Sequence, residues 1–354
     1  MSVEMELQYG YTAELAGLFE RGLRDCDLKP GEKVCLFTDT ATNPHYSAGF
    51  LGAAKALGAY VYEVKVPSMP EILGRGAGDV PLERAEIPPG GPMAAMKSSD
   101  LVVNLATVRW LYTPETNEVL ASGARILMVK DPPGVLRRLR FSKELKARGL
   151  AGAAAMSKAS RIRLTNDAGT DLTFDKTGRN GKCQYSAADE PGRWDQWPSG
   201  SVSCAPLEGT AKGILVIGVG DVVLRVPRYL SEPVRCEFSE GRVVKMTGGV
   251  DALLIKEYMD KFHDEKAFIP AHVGWGTHKS AQWQMLAEET PGGHHDAEFY
   301  YGNILLGFGS NYTTMMGGKN VTKAHIDICM RNCSLWLDDR KVLDHGQILP
   351  EELR

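Results

Sequence analysis

The chain has 354 residues, of which 43% are hydrophobic and 24% are charged, as in an ordinary globular protein. A formal net charge of −3 argues against nucleic acid or an anionic membrane surface as a main partner. Single cores usually stop growing near about 250–300 residues, so this length favours two domains.

The sequence gives no indication of export or of membrane insertion. Residues 1–6 contain neither a basic stretch nor an apolar run, and the longest apolar run, residues 213–218, is far too short to cross a bilayer. The seven cysteines are an odd number without a C-x-x-C motif, which disfavours a disulfide framework and a zinc ribbon. We therefore expect a cytoplasmic protein in a reducing compartment, with Cys329 and Cys333 as buried thiols.

Strands and helices alternate over residues 1–159. Short apolar strands are predicted at 33–38, 60–64, 100–105 and 125–129, with helices at 45–58 and 114–122. This alternation predicts a doubly wound, Rossmann-like α/β domain. No G-x-G-x-x-G follows a predicted strand, so a nucleotide-binding role has little support. A long helix, predicted from residue 135 to 159, leads to the next domain.

Strands dominate residues 160–354. One clear helix is predicted at 250–264, and residues 218–221 are typical of a β-turn rather than of a phosphate-binding loop. We expect a second, mostly antiparallel α+β domain, so the fold class is α/β plus α+β. Its predicted strands lie at 161–164, 171–174, 213–219, 222–226, 234–238, 242–246, 267–274, 299–308, 324–330 and 333–343.

The most informative motif is the segment His325, Ile326, Asp327 near the end of the chain. Apolar residues alternate there with histidine and aspartate, which is typical of a half-buried strand. Residues i and i+2 of a strand point to one face, so the imidazole and the carboxylate would project together. These are two of the three ligands of a 2-His-1-carboxylate metal site. The alternative is a surface pair on an amphipathic strand.

The third metal ligand is expected to be one of the other histidines. His272 lies in a segment that ends among glycines, which allow a ligand to approach the backbone closely. The alternative is a hydrogen-bonded core histidine, and His278, six residues later, is a candidate pocket residue. The rival metal cluster at residues 294–296 is more typical of a solvated turn, because adjacent loop residues rarely chelate one ion. His45 and His263 are expected to be structural or solvent-facing.

Several segments together resemble the M29 metalloaminopeptidases: residues 197–213, residues 299–309 and the closing His325-Ile326-Asp327. In that family the corresponding positions build a two-metal site. This chain has Ser201 and Asn303 where those peptidases have a glutamate and a histidine, and it has His272 where they have another glutamate. The resemblance thus implies one metal ion, whereas two-metal hydrolysis needs paired ions about 3.5–4 Å apart.

The altered set is similar to that of the 2,5-dihydroxypyridine 5,6-dioxygenases, mononuclear Fe(II) relatives with the same fold. Residues 271–276 and 325–333 carry this second resemblance. It implies that His272, His325 and Asp327 bind Fe(2+), and that the protein cleaves the ring of a hydroxylated pyridine or related hydroxylated aromatic with O2. It also implies a homo-oligomer.

The resemblance assigns further residues to the chemistry. In these dioxygenases a histidine just before a Ser/Thr-Pro pair transfers protons, and here Tyr112 occupies the matching position. We expect Tyr112 to replace that histidine. Arg109 is a candidate to assist Tyr112 or to bind a substrate carboxylate. The remaining predicted substrate-binding residues are Ser201, Asn303 and Ser310.

Two alternatives stay open at this point. One is an M29-like metalloaminopeptidase or hydrolase with one or two metal ions, which metal titration would separate from the dioxygenase. The other is a relative that uses the old cleft to bind a small metabolite without this chemistry. Trp110 and Trp275 are candidates to stack on a ring, although core packing is the simpler role for each.

Overall fold

A computed structural model describes residues 3–68, 90–107, 112–224, 226–288 and 294–354. The chain forms two compact units. The first comprises residues 1–141 and 186–198, and the second comprises residues 142–185 and 199–354. Within the described residues, the structure contains no helix long and apolar enough to span a membrane.

A parallel sheet forms the centre of the first unit. With strands numbered in chain order, the sheet order is β2-β1-β3-β4-β8, and every neighbouring pair is parallel. The strands are β1 Lys33–Asp39, β2 Tyr60–Val66, β3 Leu101–Asn104, β4 Arg125–Val129 and β8 Trp194–Trp197. The described helices of this unit are Val3–Asp25, Pro44–Ala56, Gly91–Lys97, Pro114–Ala121 and Pro133–Arg138. The predicted α/β class is confirmed.

The first helix, Val3–Asp25, was not predicted from the sequence. Its leucines 15, 18 and 23 and Phe19 are fully buried, and Phe19 stacks on Phe50 with ring centroids 4.0 Å apart. The apolar positions recur at helical spacing, so the signal is present in the sequence. This helix packs on the neighbouring helix Pro44–Ala56 through those aromatic rings.

The division into units differs from the predicted boundary between residues 159 and 160. The predicted helix 135–159 is two helices, Pro133–Arg138 and Lys143–Lys158, and the second begins at Ser142, whose hydroxyl accepts a hydrogen bond from Leu145 N. Helix Lys143–Lys158 belongs to the second unit. Residues 186–198 return to the first unit because β8 extends the parallel sheet beside β4.

Two antiparallel sheets form most of the second unit, which confirms the α+β class. Their strand orders are β14-β13-β10-β6-β5-β18-β19-β20 and β12-β11-β17-β16-β15-β9-β7. The strands are β5 Arg161–Thr165, β6 Asp171–Asp175, β7 Lys182–Gln184, β9 Ser201–Cys204, β10 Lys212–Ile217, β11 Val222–Val223, β12 Val226–Tyr229, β13 Val234–Ser239, β14 Arg242–Thr247, β15 Pro270–Gly276, β16 Ile304–Gly309, β17 His325–Met330, β18 Ser334–Leu337, β19 Arg340–Asp344 and β20 Gln347–Ile348.

The described helices of this unit are Lys143–Lys158, Gly249–Asp260, Met285–Glu288 and His294–Phe299. The seven cysteines all lie within the described residues and are free and buried, which confirms the predicted burial of Cys329 and Cys333. Burial raises the pKa of Cys26, Cys35, Cys204 and Cys236 to about 12.

Helix Lys143–Lys158 covers one face of the seven-stranded sheet. A Cβ atom added at Gly152 would lie 2.6 Å from Val202 and 3.1 Å from Trp275, so the helix approaches the sheet closely. Because side chains alternate along a strand, the neighbours of Val202 and Trp275 point to the opposite face. The register of β15, β16 and β17 places the side chains of His272 and Asp327 on that opposite face. The helix therefore covers one face of the sheet, and the predicted metal ligands lie on the other face.

The glycine at position 152 gives a stability prediction. Replacing Gly152 by leucine should lower the free energy of unfolding of the second unit by at least about 1–3 kcal/mol, because the added side chain has no room against Val202. Ala154→Leu, at an exposed position of the same helix, is the matched control and should leave stability within about 0.5 kcal/mol. Thermal melting of both variants, followed by circular dichroism, tests the prediction, and equal melting temperatures would contradict it.

Candidate metal centre

Three neighbouring strands of the seven-stranded sheet bring the predicted ligands together. His272 on β15 pairs with Gly307 on β16, and Gly307 pairs with Asp327 on β17. His325, two residues before Asp327, pairs with Gly309. Residues directly opposite in an antiparallel sheet share a face, so both imidazoles and the carboxylate project from one side. The glycine between His272 and Asp327 leaves room for the His272 ring.

The ligand atoms lie within coordination range of a shared ion. His272 Nε2 is 2.9 Å from Asp327 Oδ1, and His325 Nε2 is 3.5 Å from the same oxygen. One nitrogen or oxygen from each residue falls within 4.8 Å of the others. In the described part of the chain, this is the only group of three or more such side chains close enough to hold a metal ion.

The protonation states suit metal binding. Burial lowers the pKa of His272, outweighing the opposing effect of Asp327, so the imidazole is neutral at pH 7. Burial alone would raise the pKa of Asp327, but the charge of His325 and hydrogen bonds from both histidines hold it well below its usual value. A neutral imidazole and an ionised carboxylate are the forms that bind a metal ion.

The surroundings of His272 fit a bound divalent ion. A Cβ atom at position 307 would lie 2.4 Å from His272 Nε2, so only glycine leaves this ring its place. The other ring nitrogen, Nδ1, is buried and has no hydrogen-bond partner among the described residues. Two nitrogens and one carboxylate oxygen with adjacent open positions are the ligand set of facial-triad sites.

The backbone of Ser310 orients His325. Nδ1 of His325 lies 2.9 Å from the carbonyl oxygen of Ser310, so Nδ1 donates this bond and the ring is held with Nε2 facing Asp327. The hydroxyl of Ser310 donates to Asn320 O at 3.2 Å. Ser310, a predicted substrate-binding residue, thus contacts the imidazole of His325 through its carbonyl group.

An ion pair between a buried arginine and a half-buried glutamate supports the loop that carries Ser310. Arg179 Nη2 lies 2.5 Å from Glu208 Oε2, and Glu208 Oε1 accepts hydrogen bonds from Asn311 Nδ2 and Lys319 N. Asn311 Oδ1 in turn accepts from Asn320 N at 2.7 Å. Burial raises the pKa of Glu208, but these hydrogen bonds and the Arg179 charge leave it below its usual value. A hydrogen-bond network thus connects Glu208 to the loop that orients His325.

Two predicted substrate residues lie in a different row of the same sheet. Ser201 pairs with Gly276, and Asn303 Oδ1 accepts from Gly276 N at 2.7 Å. Gly276 is four residues from His272 along β15, a separation of about 13 Å. The Asn303 amide also donates to the carbonyl groups of Ala297 and Glu298, so its described contacts are with backbone groups. The structure does not bring these two residues to the ligand row.

The remaining predicted residues are Tyr112, Arg109, Trp110 and Trp275. Tyr112 lies in the first unit with a φ of 64° and packs edge-to-face on Trp194, with ring centroids 5.6 Å apart. Arg109 and Trp110 lie outside the described residues. Trp275 is fully buried against helix Lys143–Lys158, which is the core-packing role.

The other histidines do not join the centre in the described structure. The prediction of a solvated turn at 294–296 is wrong: the segment begins the helix His294–Phe299, with His295 and Asp296 buried and Asp296 Oδ1 accepting from Gln282 N. His278 is buried on Gly200, where an added Cβ would lie 2.7 Å from the histidine Cβ. The hydrogen bond of Asp296 and the packing of His278 on Gly200 both join residues that are distant in sequence, so the sequence does not reveal them.

Two histidines and one aspartate on one face of a seven-stranded antiparallel sheet are the donor set that is typical of facial-triad metalloenzymes. Comparison with known proteins is more specific. The family model of 2,5-dihydroxypyridine 5,6-dioxygenase (NicX) matches residues 14–350. The chain belongs to this family. Membership confirms the predicted class of enzyme, a ring-cleaving dioxygenase.

Individual relatives agree with this assignment. The chain is 34% identical to the 2,5-dihydroxypyridine 5,6-dioxygenase of Pseudomonas putida, over 97% of this chain and 98% of the relative. A solved structure of that dioxygenase from Pseudomonas putida KT2440 superposes with a TM-score of 0.89 at 33% identity, covering 97% and 99% of the two chains. Wild-type AmpT from Thermus thermophilus matches at 13% identity with a TM-score of 0.63, over 96% of this chain and 100% of that one, which confirms the M29 aminopeptidase-like fold.

The glycine beneath His272 gives a prediction about metal affinity. Gly307→Ala should weaken binding of a divalent ion by at least about tenfold, because the methyl group displaces the His272 ring from its position. Titration calorimetry with Zn(II) or Co(II) measures the change. Gly52→Ala, where an added Cβ meets no atom within 4 Å, is the control. Unchanged affinity in Gly307→Ala would show that His272 is not a ligand.

Loss of charge at Glu208 should act on the same centre from a distance. Glu208→Gln removes the partner of Arg179 and one acceptor of the loop, so metal affinity should fall several-fold to about tenfold. Glu237→Gln, at a glutamate on β13 in the eight-stranded sheet, should leave the metal affinity unchanged. The d–d absorption spectrum of the Co(II)-loaded protein should change in Glu208→Gln alone. Identical spectra in both variants would contradict the role given to this network.

Proposed function

We propose that this protein is a non-haem Fe(II) dioxygenase that opens the ring of a hydroxylated pyridine, or of a related hydroxylated aromatic, with O2. The convergence of His272, His325 and Asp327 on one face of a sheet carries the proposal, together with family membership. The relatives named above support 2,5-dihydroxypyridine as the first substrate to test.

The three ligands would hold the iron through two neutral nitrogens and one carboxylate oxygen. When bound, ferrous iron supplies the electron transfer and the open coordination positions that ring cleavage by O2 requires. A single carboxylate leaves the centre with a net charge of +1, which favours a deprotonated hydroxyl group on the substrate. Ser310 keeps His325 in the required tautomer through its carbonyl oxygen.

Tyr112 is the proposed proton-transfer residue. Its phenol would exchange a proton with the substrate hydroxyl, in the role that a histidine has in the family. Its backbone supports a special role: a φ of 64° is uncommon for a residue with a Cβ atom, and such outliers cluster at functional sites. Arg109, which lies outside the described residues, stays a candidate to bind a substrate carboxylate.

Other parts of the proposal rest on family resemblance. Ser201 and Asn303 stay predicted pocket residues, although their described contacts lie away from the ligand row. We also propose a homo-oligomer in the cytoplasm. The hydrolase alternative has the fold of AmpT in its favour, and at 13% identity that likeness concerns the fold alone.

Oxygen consumption tests the proposed function directly. Protein purified without oxygen and reconstituted with Fe(II) should consume O2 when given 2,5-dihydroxypyridine, and the ultraviolet absorbance of the ring should disappear in step. A panel of monohydroxypyridines and dihydroxybenzoates defines the substrate range. Binding of two zinc or cobalt ions, with cleavage of amino-acid amides and no oxygen uptake, would establish the hydrolase instead.

Two variants separate the roles of ligand and proton-transfer residue. Asp327→Ala should lose iron and all oxygen uptake, because it removes the only carboxylate of the triad. Tyr112→Phe should retain iron while kcat falls by about 10²–10⁴-fold, the usual contribution of acid–base catalysis. Iron content by plasma emission and oxygen uptake are measured on the same samples. Wild-type turnover in Tyr112→Phe would remove Tyr112 from the mechanism.

A further inference from the structure

A lysine is buried in the strand at the edge of the seven-stranded sheet. Lys182 begins β7 and is only 4% exposed. A lysine is almost never buried to this extent without a reason, because removing its charge from water is costly. The roles discussed so far for the metal centre do not involve it.

The strand register places Lys182 on the face that carries the metal ligands. Lys182 pairs with Ser203 on β9, and Ser203 pairs with Gly274 on β15, two residues from His272. No bulge interrupts β15 between these two positions. Opposed residues and those two apart share a face, so Lys182, Ser203 and His272 point the same way.

Contacts with helix Lys143–Lys158 identify the opposite face of the sheet independently. Cys183, the next residue after Lys182, lies under helix Lys143–Lys158: a Cβ atom at Gly149 would be 3.3 Å from the Cys183 Cβ. Val202 lies under the same helix at Gly152. Since neighbours alternate, Lys182 and Ser203 are directed away from that helix and toward the ligand face.

The reach of the side chain brings its ammonium group near the ligands. Two strand spacings and two residues along the strand separate the Cα atoms of Lys182 and His272 by about 12 Å. A lysine has four methylene groups between Cα and its ammonium, so the charge lies well inside that separation.

The space between Lys182 and the ligands is bounded by the loop after β16. Ser203 Oγ lies 3.7 Å from the sulfur of Met316, so this loop passes over the row that separates the lysine from His272. Gly274 and Gly307 add no side chain on this face. Between Lys182 and the ligands, this face of the sheet therefore carries small residues. The predicted metal ligands lie at one end, and the charged Lys182 side chain lies toward the other.

We propose that Lys182 is a substrate-binding residue whose ammonium group contacts an anionic oxygen of the ring, other than the oxygen directed at the metal. This inference rests on the proposed function and narrows it. The ligands and Lys182 together would select rings that carry two oxygen substituents, of which the second is ionised or a strong hydrogen-bond acceptor. A charged hydrogen bond of this kind is worth about 1.5–3 kcal/mol.

The test compares two substrates in two variants of the iron-loaded enzyme. Lys182→Met keeps the length of the side chain and removes the charge, and Lys182→Arg keeps the charge. With 2,5-dihydroxypyridine, KM in Lys182→Met should rise by roughly 10- to 150-fold, the equivalent of one charged hydrogen bond. With a ring that has one hydroxyl group, KM should stay within about threefold. Lys182→Arg should restore most of the loss, and Lys212→Met, at an exposed lysine, should have no effect.

Binding without turnover provides a second measurement. Anaerobic titration of the Zn(II)-loaded protein with both ring compounds should show the same loss of affinity in Lys182→Met, for the doubly substituted ring only. Equal effects on both rings, or no effect on either, would overturn the inference and leave the proposed function standing. If Lys182→Met loses metal or stability, Lys182→Arg becomes the deciding variant. It should still prefer the doubly substituted ring over the ring with one hydroxyl group, and loss of that preference would equally overturn the inference. Absence of oxygen uptake by the iron-loaded wild type would instead overturn the proposed function.

Discussion

The register of three antiparallel strands is the constraint on which the site depends. β16 lies between β15 and β17, and the position that separates His272 from Asp327 is Gly307, which has no side chain to fill the gap. A slip of one residue in either pairing would turn a ligand to the wrong face. The arrangement of the three donor side chains is therefore a product of sheet geometry rather than of a flexible loop.

Support for this geometry comes from residues that are not themselves predicted metal ligands. The carbonyl group of Ser310 fixes the His325 ring, and Glu208 holds the loop of Ser310 through Asn311. On the other face, close packing of helix Lys143–Lys158 at Gly152 keeps the sheet in place. The histidines and the aspartate thus receive rigidity from both sides of the sheet, which is what a site needs to bind one ion with a defined geometry.

The sequence revealed the parts of the site that have a local cause. His325 and Asp327 follow from period-two alternation, and glycines near His272 together with the family resemblance supplied the third ligand. Ser201 and Asn303 were assigned from motifs of a two-metal peptidase, but strand pairing decides their distance from His272, and that pairing is set by contacts far apart in sequence. Lys182, the Glu208 network and the return of β8 to the first sheet have the same long-range origin.

The burial of every cysteine matters for a protein that handles molecular oxygen. Thiols are oxidised through their thiolate form, and burial keeps Cys26, Cys204 and the other cysteines with raised pKa values in the protonated form. If the proposed metal is iron, damage during aerobic work would fall on the ferrous ion, which a reductant can restore or fresh iron can replace, rather than on the polypeptide. Inactivation in air should for that reason be reversible, and the apoprotein a durable stock from which active enzyme is regenerated.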